Sequence, residues 1–95
     1  MHAFAVQLTN QAAADLDKVP REARVQIVKD LSALAVDPFP KGHVRKKLKG
    51  FTFALYRLRA GNYRVLYRID ARLVTIMRVV NRKDLEKIAK RLKLS

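Results

Sequence analysis

The sequence contains no cysteine, and this absence excludes several kinds of site at once. Without cysteine there can be no disulfide framework, no thiolate metal site and no cysteine nucleophile. No apolar stretch approaches the roughly 20 residues that a membrane-spanning helix needs. Residues 1–6 show neither a basic segment nor a long apolar run, so we expect no signal peptide. The simplest expectation is a cytoplasmic protein.

Carboxylates are also scarce, and the charges are unevenly distributed. The 95 residues include 21 Lys or Arg and 8 Asp or Glu, which gives a formal net charge of +13. Residues 1–40 carry four basic and five acidic residues, whereas residues 41–95 carry 17 and three. Such an excess attracts phosphate backbones, anionic membranes or acidic proteins. Because much of it falls on predicted strands and not on one amphipathic helix, nucleic acid is favoured over a membrane.

Metal ligands are few. His2 and His43 are isolated in the sequence, and no carboxylate cluster accompanies either, so we predict no metal and no cofactor. In contrast, 49% of the residues are hydrophobic, which is typical of a folded chain and not of a disordered basic tail. A length of 95 residues suits one domain with a modest core. We therefore expect a single domain over residues 1–95.

Hydrophobic periodicity and turn residues predict an α+β fold. We expect a small antiparallel sheet of about four strands, with an N-terminal helical hairpin and a C-terminal helix (β-α-α-β-β-β-α). The basic segment 41–50 is predicted to be a connection. The predicted elements are a strand at 4–8, a helix capped by Thr9 or Asn10, a helix beginning near Pro20, strands at about 52–60, 62–69 and 72–80, and a helix at about 83–93 capped by Asn81.

Arginine recurs at alternate positions in two strands joined by a turn at Gly61 and Asn62. Since side chains alternate between the faces of a strand, Arg57 and Arg59 share one face, as do Arg64 and Arg68 in the next strand. Like charges side by side are unfavourable in a sheet, so this face is predicted to bind a polyanion. A solvated face is the simpler alternative. The opposite face would carry Tyr63, Val65, Tyr67 and Ile69 into a core.

The same alternation predicts one mainly apolar face of the third strand, formed by Val74, Ile76, Arg78 and Val80. Arg78 interrupts this row. We expect it either to contact nucleic acid or to pair with Asp70 or Glu86.

In these elements the chain resembles the RelE/ParE superfamily of bacterial and archaeal type II toxins, over nearly its whole length. The most specific segments are 48–50, 56–67 and 79–84. The central segment, ending in Tyr-Arg, two apolar residues and Tyr, is most similar to the RelE branch. Within that branch the resemblance implies a ribosome-dependent endoribonuclease that cuts mRNA in the aminoacyl site and stops translation. It also implies neutralisation by an antitoxin encoded beside it.

The resemblance carries over to particular residues. Arg64 matches the arginine that follows the tyrosine of the second hairpin strand, and Arg82 matches the arginine before the last helix. Arg57 falls where a basic residue is usual. Two positions depart from the family: Asn81 stands where members often have histidine or lysine, and the usual tyrosine early in the last helix has no counterpart after Tyr67.

Cleavage of RNA by its own 2′-hydroxyl requires in-line positioning, charge stabilisation on the phosphorane and proton transfer. Arginine suits the charge stabilisation, so Arg57, Arg64 and Arg82 are predicted to grip the scissile phosphate. Lysine can act as a base when its pKa is depressed, and we choose Lys49, with His43 as the alternative. The further predicted RNA contacts are Arg45, Lys46, Lys47, Arg59, Arg68, Arg78 and Lys83.

Two other functions stay open. The fold could serve a ParE-like inhibitor of DNA gyrase, or a nonenzymatic nucleic-acid-binding module. Tyr56, Tyr63 and Tyr67 could stack on bases, although aromatics at alternate strand positions are more often core. The partners expected are a cognate acidic antitoxin, the ribosome and mRNA, with no membrane and no small-molecule cofactor.

Overall fold

The computed structural model describes residues 3–94, in which a five-stranded sheet carries two helices on one face and one on the other. The predicted α+β class is confirmed, while His2 lies outside the described residues. The elements are β1 Ala5–Leu8, α1 Asn10–Asp17, α2 Arg21–Leu34, β2 Arg45–Lys47, β3 Tyr56–Ala60, β4 Tyr63–Asp70, β5 Leu73–Asn81, a 3-10 turn Arg82–Asp84 and α3 Leu85–Leu94.

The sheet order is β1-β5-β4-β3-β2, and it corrects two expectations. The prediction of about four strands misses β2, a three-residue strand inside the segment that was expected to be a connection. The prediction of an antiparallel sheet misses β1, which pairs parallel to β5 because the two intervening helices carry the chain back across the sheet. The other neighbouring strands are antiparallel.

The helical hairpin forms where the sequence predicts it. The Thr9 hydroxyl accepts a hydrogen bond from the Ala12 N–H at 3.0 Å and thereby caps α1. Pro20 immediately precedes α2. Ala12, Ile27 and Leu34 are almost fully buried against the sheet, on what we call the hairpin face.

The sheet has a separate apolar cluster on each face. On the hairpin face, the main core joins α1 and α2 to Leu58, Val65, Tyr67, Val74, Ile76 and Val79. On the opposite face, which we call the α3 face, a smaller cluster joins Leu55, Leu66, Val80 and Ile88. The amphipathic α3 covers only part of that face. The remaining part is where arginines replace apolar residues.

A bulge in β5 corrects the predicted faces of that strand. Leu66 lies opposite Arg78 and Tyr67 lies opposite Ile76, so Met77 has no cross-strand partner. The extra residue reverses the alternation from that point. Consequently Val79 packs in the main core, whereas Met77 and Val80 pack beneath α3. The strict alternation expected from the sequence is therefore wrong after Ile76.

Tyr67 anchors the centre of the main core. Its side chain is fully buried, and its hydroxyl donates to the Pro38 carbonyl at 2.6 Å. Its ring stacks on that of Tyr56, with centroids 5.5 Å apart. Burial raises the pKa of the Tyr67 hydroxyl, which therefore stays protonated as a donor. The hydrogen bond ties the segment after α2 to the middle of the sheet.

We predict that Tyr67→Phe lowers the free energy of unfolding by about 1–3 kcal/mol, because the buried Pro38 carbonyl loses its donor. Urea denaturation measures the change. Tyr63→Phe is the matched control, since the Tyr63 hydroxyl has no hydrogen-bond partner within residues 3–94. Equal destabilisation by the two substitutions would contradict the prediction.

Candidate nucleic-acid interface

Four arginines converge on the α3 face, and we call Arg57, Arg59, Arg64 and Arg82 the arginine cluster. Arg59 lies directly opposite Arg64 across the β3–β4 pair, and Arg57 lies two residues before Arg59 on the same face. Arg82 follows the last residue of β5 in the 3-10 turn. Two strands and the 3-10 turn thus contribute to one positively charged surface.

Arg64 is the most enclosed member of the cluster, with 8% of its surface exposed. Its Nη1 donates to the carbonyls of Gly61 at 2.9 Å and Tyr63 at 2.8 Å. Gly61 has a φ of +59°, a conformation that glycine adopts without strain in the turn. Burial lowers the pKa of Arg64, and the charges of Arg59 and Arg82 lower it further. The guanidinium is therefore held rigidly among like charges.

Arg57 is held in a similar way from the other side of the hairpin. Its Nη2 donates to the His43 carbonyl at 2.8 Å, in the segment that precedes β2. Its Nε is buried and has no hydrogen-bond partner in the described part of the chain. Burial lowers the pKa of Arg57, with further lowering from Arg64 and Arg59. An anion bound at this surface would relieve the repulsion among these arginines.

Arg82 is exposed, but its main chain is fixed to the hairpin. Its N–H donates to the Asn62 carbonyl at 2.9 Å, so the turn that holds Arg64 also positions Arg82. The Asn81 side chain accepts from the Lys83 N–H at 3.1 Å, which confirms the predicted cap. Where family members often carry histidine or lysine, this chain therefore has a residue that shapes the turn.

The predicted lysines are all exposed. Lys46 lies opposite Arg57 and shares its face, on the edge strand. Lys47 lies opposite Tyr56 and therefore points to the hairpin face. Lys49 follows β2, and Lys83 lies in the 3-10 turn beside Arg82.

Arg45 is not brought into the cluster. It is 8% exposed, its Nε donates to the Phe39 carbonyl at 2.7 Å, and its Nη2 bonds to Asp37 at 3.2 Å. The strand pairing puts it opposite Leu58, on the hairpin face. Its guanidinium is therefore engaged in holding the segment that follows α2.

Arg78 also lies elsewhere, and its partner is neither of those expected. Instead of Asp70 or Glu86, it pairs with Asp15 of α1, with Nε and Oδ2 2.7 Å apart. Asp15 also accepts from the Val79 N–H at 3.0 Å. The strand pairing puts Arg78 opposite Leu66, and its contact with a residue 63 positions earlier in the chain is one that strand alternation alone did not predict.

Arg68 shares the face of Arg64 but lies four residues, or about 13 Å, further along β4. Its guanidinium carbon lies 4.8 Å from the centre of the Phe53 ring, and it forms a 3.8 Å salt bridge with Asp70. It therefore belongs to a separate contact at the other end of the strand.

The tyrosines contribute mainly to packing. Tyr67 is buried, and Tyr56 stacks on it in the main core. Tyr63 is half-buried and lines a cleft of about 330 Å³ between α1, the end of β5 and α3.

Sequence reasoning missed the groups that hold the arginines. The carbonyls of His43, Gly61, Asn62 and Tyr63 position Arg57, Arg64 and Arg82. Main-chain groups leave no residue-type signal. In the sequence, the glycine of the hairpin turn was the single indication that a main-chain carbonyl could accept a hydrogen bond from a nearby arginine.

Among residues 3–94 no group of three or more His, Cys, Asp or Glu side chains is placed to hold a metal ion. No helix in that range combines the length and the apolar character needed to cross a membrane.

Comparison with known proteins identifies the family. The sequence model of the ParE toxin of type II toxin–antitoxin systems matches residues 6–86. The chain therefore belongs to the ParE toxin family, within the RelE/ParE superfamily of type II toxins that its sequence resembles. No match was found among curated protein sequences.

Solved structures of toxin–antitoxin complexes share the fold. The complex RelBE2 from Mycobacterium tuberculosis contains a chain 32% identical, with a TM-score of 0.74 over 84% of this chain and 99% of that one. The RelE–RelB complex from Pyrococcus horikoshii OT3 contains a chain 25% identical, with a TM-score of 0.72 over 84% of this chain and 96% of that one. The RelB–RelE complex from Methanococcus jannaschii contains a chain 25% identical, with a TM-score of 0.67 over 83% of this chain and 93% of that one.

The Asp15–Arg78 pair predicts an acid-sensitive stability. Burial alone would raise the pKa of Asp15, but the hydrogen bonds from Arg78 and Val79 outweigh it and hold that pKa below its usual 3.8. A carboxylate with a depressed folded pKa stabilises the protein fully above the unfolded pKa, and this stabilisation is lost as the pH falls towards the folded value.

We therefore expect the melting temperature of the wild type to decrease when the pH drops below about 4. Asp15→Asn should remove part of this pH dependence, and it should also lower the stability of the protein at pH 7. Asp17→Asn, which changes an exposed carboxylate on the same helix, should leave both unchanged. Thermal melts of the three proteins from pH 2.5 to 7 measure the effect. Parallel curves for wild type and Asp15→Asn would contradict it.

Proposed function

We propose that this toxin is a ribosome-dependent endoribonuclease that cuts mRNA and so inhibits translation, which places its action in the cytoplasm. The observation that carries the proposal is the convergence of four guanidinium groups on one face without internal counterions. Within residues 3–94, the salt bridges engage Asp15, Asp37 and Asp70, and none involves an arginine of the cluster. Mutual repulsion of this kind is unfavourable unless an anion occupies the surface.

The hydrogen bonds of Arg64 engage only one of its three guanidinium nitrogens. The two carbonyls hold Nη1, while Nε and Nη2 have no partner among the residues described. These two nitrogens form the parallel donor pair that matches two phosphate oxygens. Because carbonyls orient the group before any ligand binds, little reorganisation is needed when charge develops on the phosphate.

The reaction proposed is attack of the 2′-hydroxyl oxygen on the adjacent phosphorus, which forms a 2′,3′-cyclic phosphate and breaks the bond to the 5′-oxygen. That oxygen takes a proton from solvent and leaves as a 5′-hydroxyl. Arg57, Arg64 and Arg82 stabilise the additional negative charge of the phosphorane. Arginine is a poor base because its pKa is far above neutrality, so another group must take the 2′ proton. We propose Lys49, which is exposed after β2, with the His43 imidazole as the alternative. Lys46 and Arg59 would hold the flanking backbone.

The ribosome would complete the positioning of the message. The cluster supplies electrostatic stabilisation, but the chain lacks the aromatic residue that is usual early in the last helix, where Glu86, Lys87 and Ile88 stand. Restriction of a bound strand by the ribosome can supply the in-line geometry that such a site lacks. We therefore expect little cleavage of free RNA.

The alternative proposal is inhibition of DNA gyrase. It is favoured by the name of the matching family, ParE, and by the missing tyrosine. The RelE chains of the solved complexes, at 25% and 32% identity, support the ribonuclease instead. Primer extension on a translated message detects cut mRNA, and an assay with gyrase detects accumulated cleaved DNA. The two readouts separate the alternatives.

We predict that expression of the wild type arrests growth, and that Arg64→Ala or Arg82→Ala relieves the arrest and slows mRNA cleavage by about 10²–10³-fold. Arg72→Ala is the matched control, because Arg72 is exposed in the turn between β4 and β5, at the opposite end of the hairpin. Primer extension with purified ribosomes measures the rate. Soluble wild-type protein without effect on growth or message would refute the proposal.

We further propose that an acidic antitoxin neutralises the protein, as the solved relatives are complexes of toxin with antitoxin. An acidic amphipathic segment that folds on binding would cover the arginine cluster. The product of the adjacent gene should copurify with the tagged chain, and a double variant Arg57→Ala/Arg59→Ala should weaken the complex at about 0.15 M salt. Isothermal titration measures the affinity. Failure of the neighbour to copurify would contradict this prediction.

A further inference from the structure

A second basic surface runs along the outside of α3. Lys87, Lys90 and Arg91 are all exposed and lie on one side of the helix at spacings of three and four residues. Lys83 precedes them in the 3-10 turn and is also exposed. We call these four residues the basic stripe. It spans nine residues, 83–91, which corresponds to about 12 Å along the helix axis.

The stripe is unfavourable for the helix that carries it. Like charges three and four residues apart destabilise a helix. Within the described residues, no salt bridge joins any of these four cations to a carboxylate. Asp84 and Glu86 lie three or four residues from members of the stripe, but neither forms a salt bridge with them, so the stripe keeps a net positive charge.

The other side of α3 shows that the stripe does not serve membrane binding. Leu85, Ile88 and Leu92 pack against the smaller apolar cluster, and Ile88 is only 7% exposed. An amphipathic helix binds a bilayer by inserting its apolar side. In α3 that side is already buried against the sheet, and the exposed cations alone remain for a partner.

The shape of the stripe favours a duplex over a single strand. Single-stranded nucleic acid is usually held by a groove with aromatic side chains on which bases stack, but residues 82–94 contain no aromatic residue. A helix presents its cations in a rigid, straight row. A row of about 12 Å matches several successive phosphates of a duplex strand, which repeat about every 3.4 Å along the axis.

We propose that the basic stripe is a docking surface for the phosphate backbone of double-stranded RNA, separate from the arginine cluster. The choice of RNA over DNA rests on the proposed function, whereas the existence of the surface does not. The stripe would anchor the protein on structured RNA, and the arginine cluster would act on the strand to be cut.

The test compares two triple variants of the full-length protein by fluorescence anisotropy. Lys87→Gln/Lys90→Gln/Arg91→Gln removes the helical part of the stripe. Arg21→Gln/Lys29→Gln/Arg72→Gln removes three exposed cations from α2 and from the turn between β4 and β5, with the same change in net charge. The ligands are a 16-base-pair RNA duplex, the DNA duplex of the same sequence and the single RNA strand, each labelled and checked for intactness.

Binding of a cation to a duplex phosphate contributes about 0.9 to the slope of log K against log salt. We therefore expect the stripe variant to lose about 2–3 from the slope for the RNA duplex, and the control variant to lose less than 1. Both should stay folded by circular dichroism, because neither set contributes to the core. Equal losses for both variants, a larger loss on the single strand, or tighter binding of the DNA duplex by the wild type would overturn the proposal.

Failure of this proposal is distinguishable from failure of the proposed function. Binding is measured without ribosomes and without cleavage. A stripe variant that loses duplex affinity while Arg64→Ala retains it would support two separate surfaces. Loss of duplex affinity in Arg64→Ala alone would overturn the docking role of α3.

Discussion

Leu58, Val65 and Tyr67 lie on the hairpin face of β3 and β4, and their burial beneath α1 and α2 fixes the register between these two strands. A slip of β4 by one residue would turn Val65 and Tyr67 away from the helices and direct Arg64 into the main core, so the register is strongly determined. Because side chains alternate, the same register forces Arg59 and Arg64 together on the other face. The core thus overcomes a repulsion that the arginines could not overcome themselves, and the candidate site depends on this.

Main-chain carbonyls make the repulsion tolerable. Those of His43, Gly61 and Tyr63 accept hydrogen bonds from Arg57 and Arg64, and they orient the guanidinium groups without neutralising them. A carboxylate in their place would satisfy the arginines more strongly but would compete with a phosphate ligand. The turn at Gly61 and Asn62 also holds the main chain of Arg82. One hairpin turn therefore positions two of the three arginines proposed to act on phosphate.

Local sequence patterns were sufficient for much of this protein. The periodicity of the helices, the Thr9 and Asn81 caps and the hairpin turn predicted most elements, and the alternation of arginines predicted which of them share a face with Arg64. The patterns failed where a long-range contact decided the outcome. A three-residue basic strand, β2, has no periodicity of its own and forms because β3 offers an edge. The bulge at Met77 reverses a strand whose residues alternate without interruption in the sequence.

The sequence by itself determined the charge, the order of the elements, the family and the arginines of the hairpin, because each follows from composition or from spacing along the chain. Only the tertiary structure decided which cations are free. Both Arg45 and Arg78 were predicted RNA contacts, like the other arginines. In the fold Arg45 pairs with Asp37, and Arg78 pairs with Asp15, which lies 63 residues away along the chain. Such pairing depends on how helices dock against the sheet, and no local period in the sequence records it. The freedom of a guanidinium to bind phosphate is consequently a property of the assembled fold.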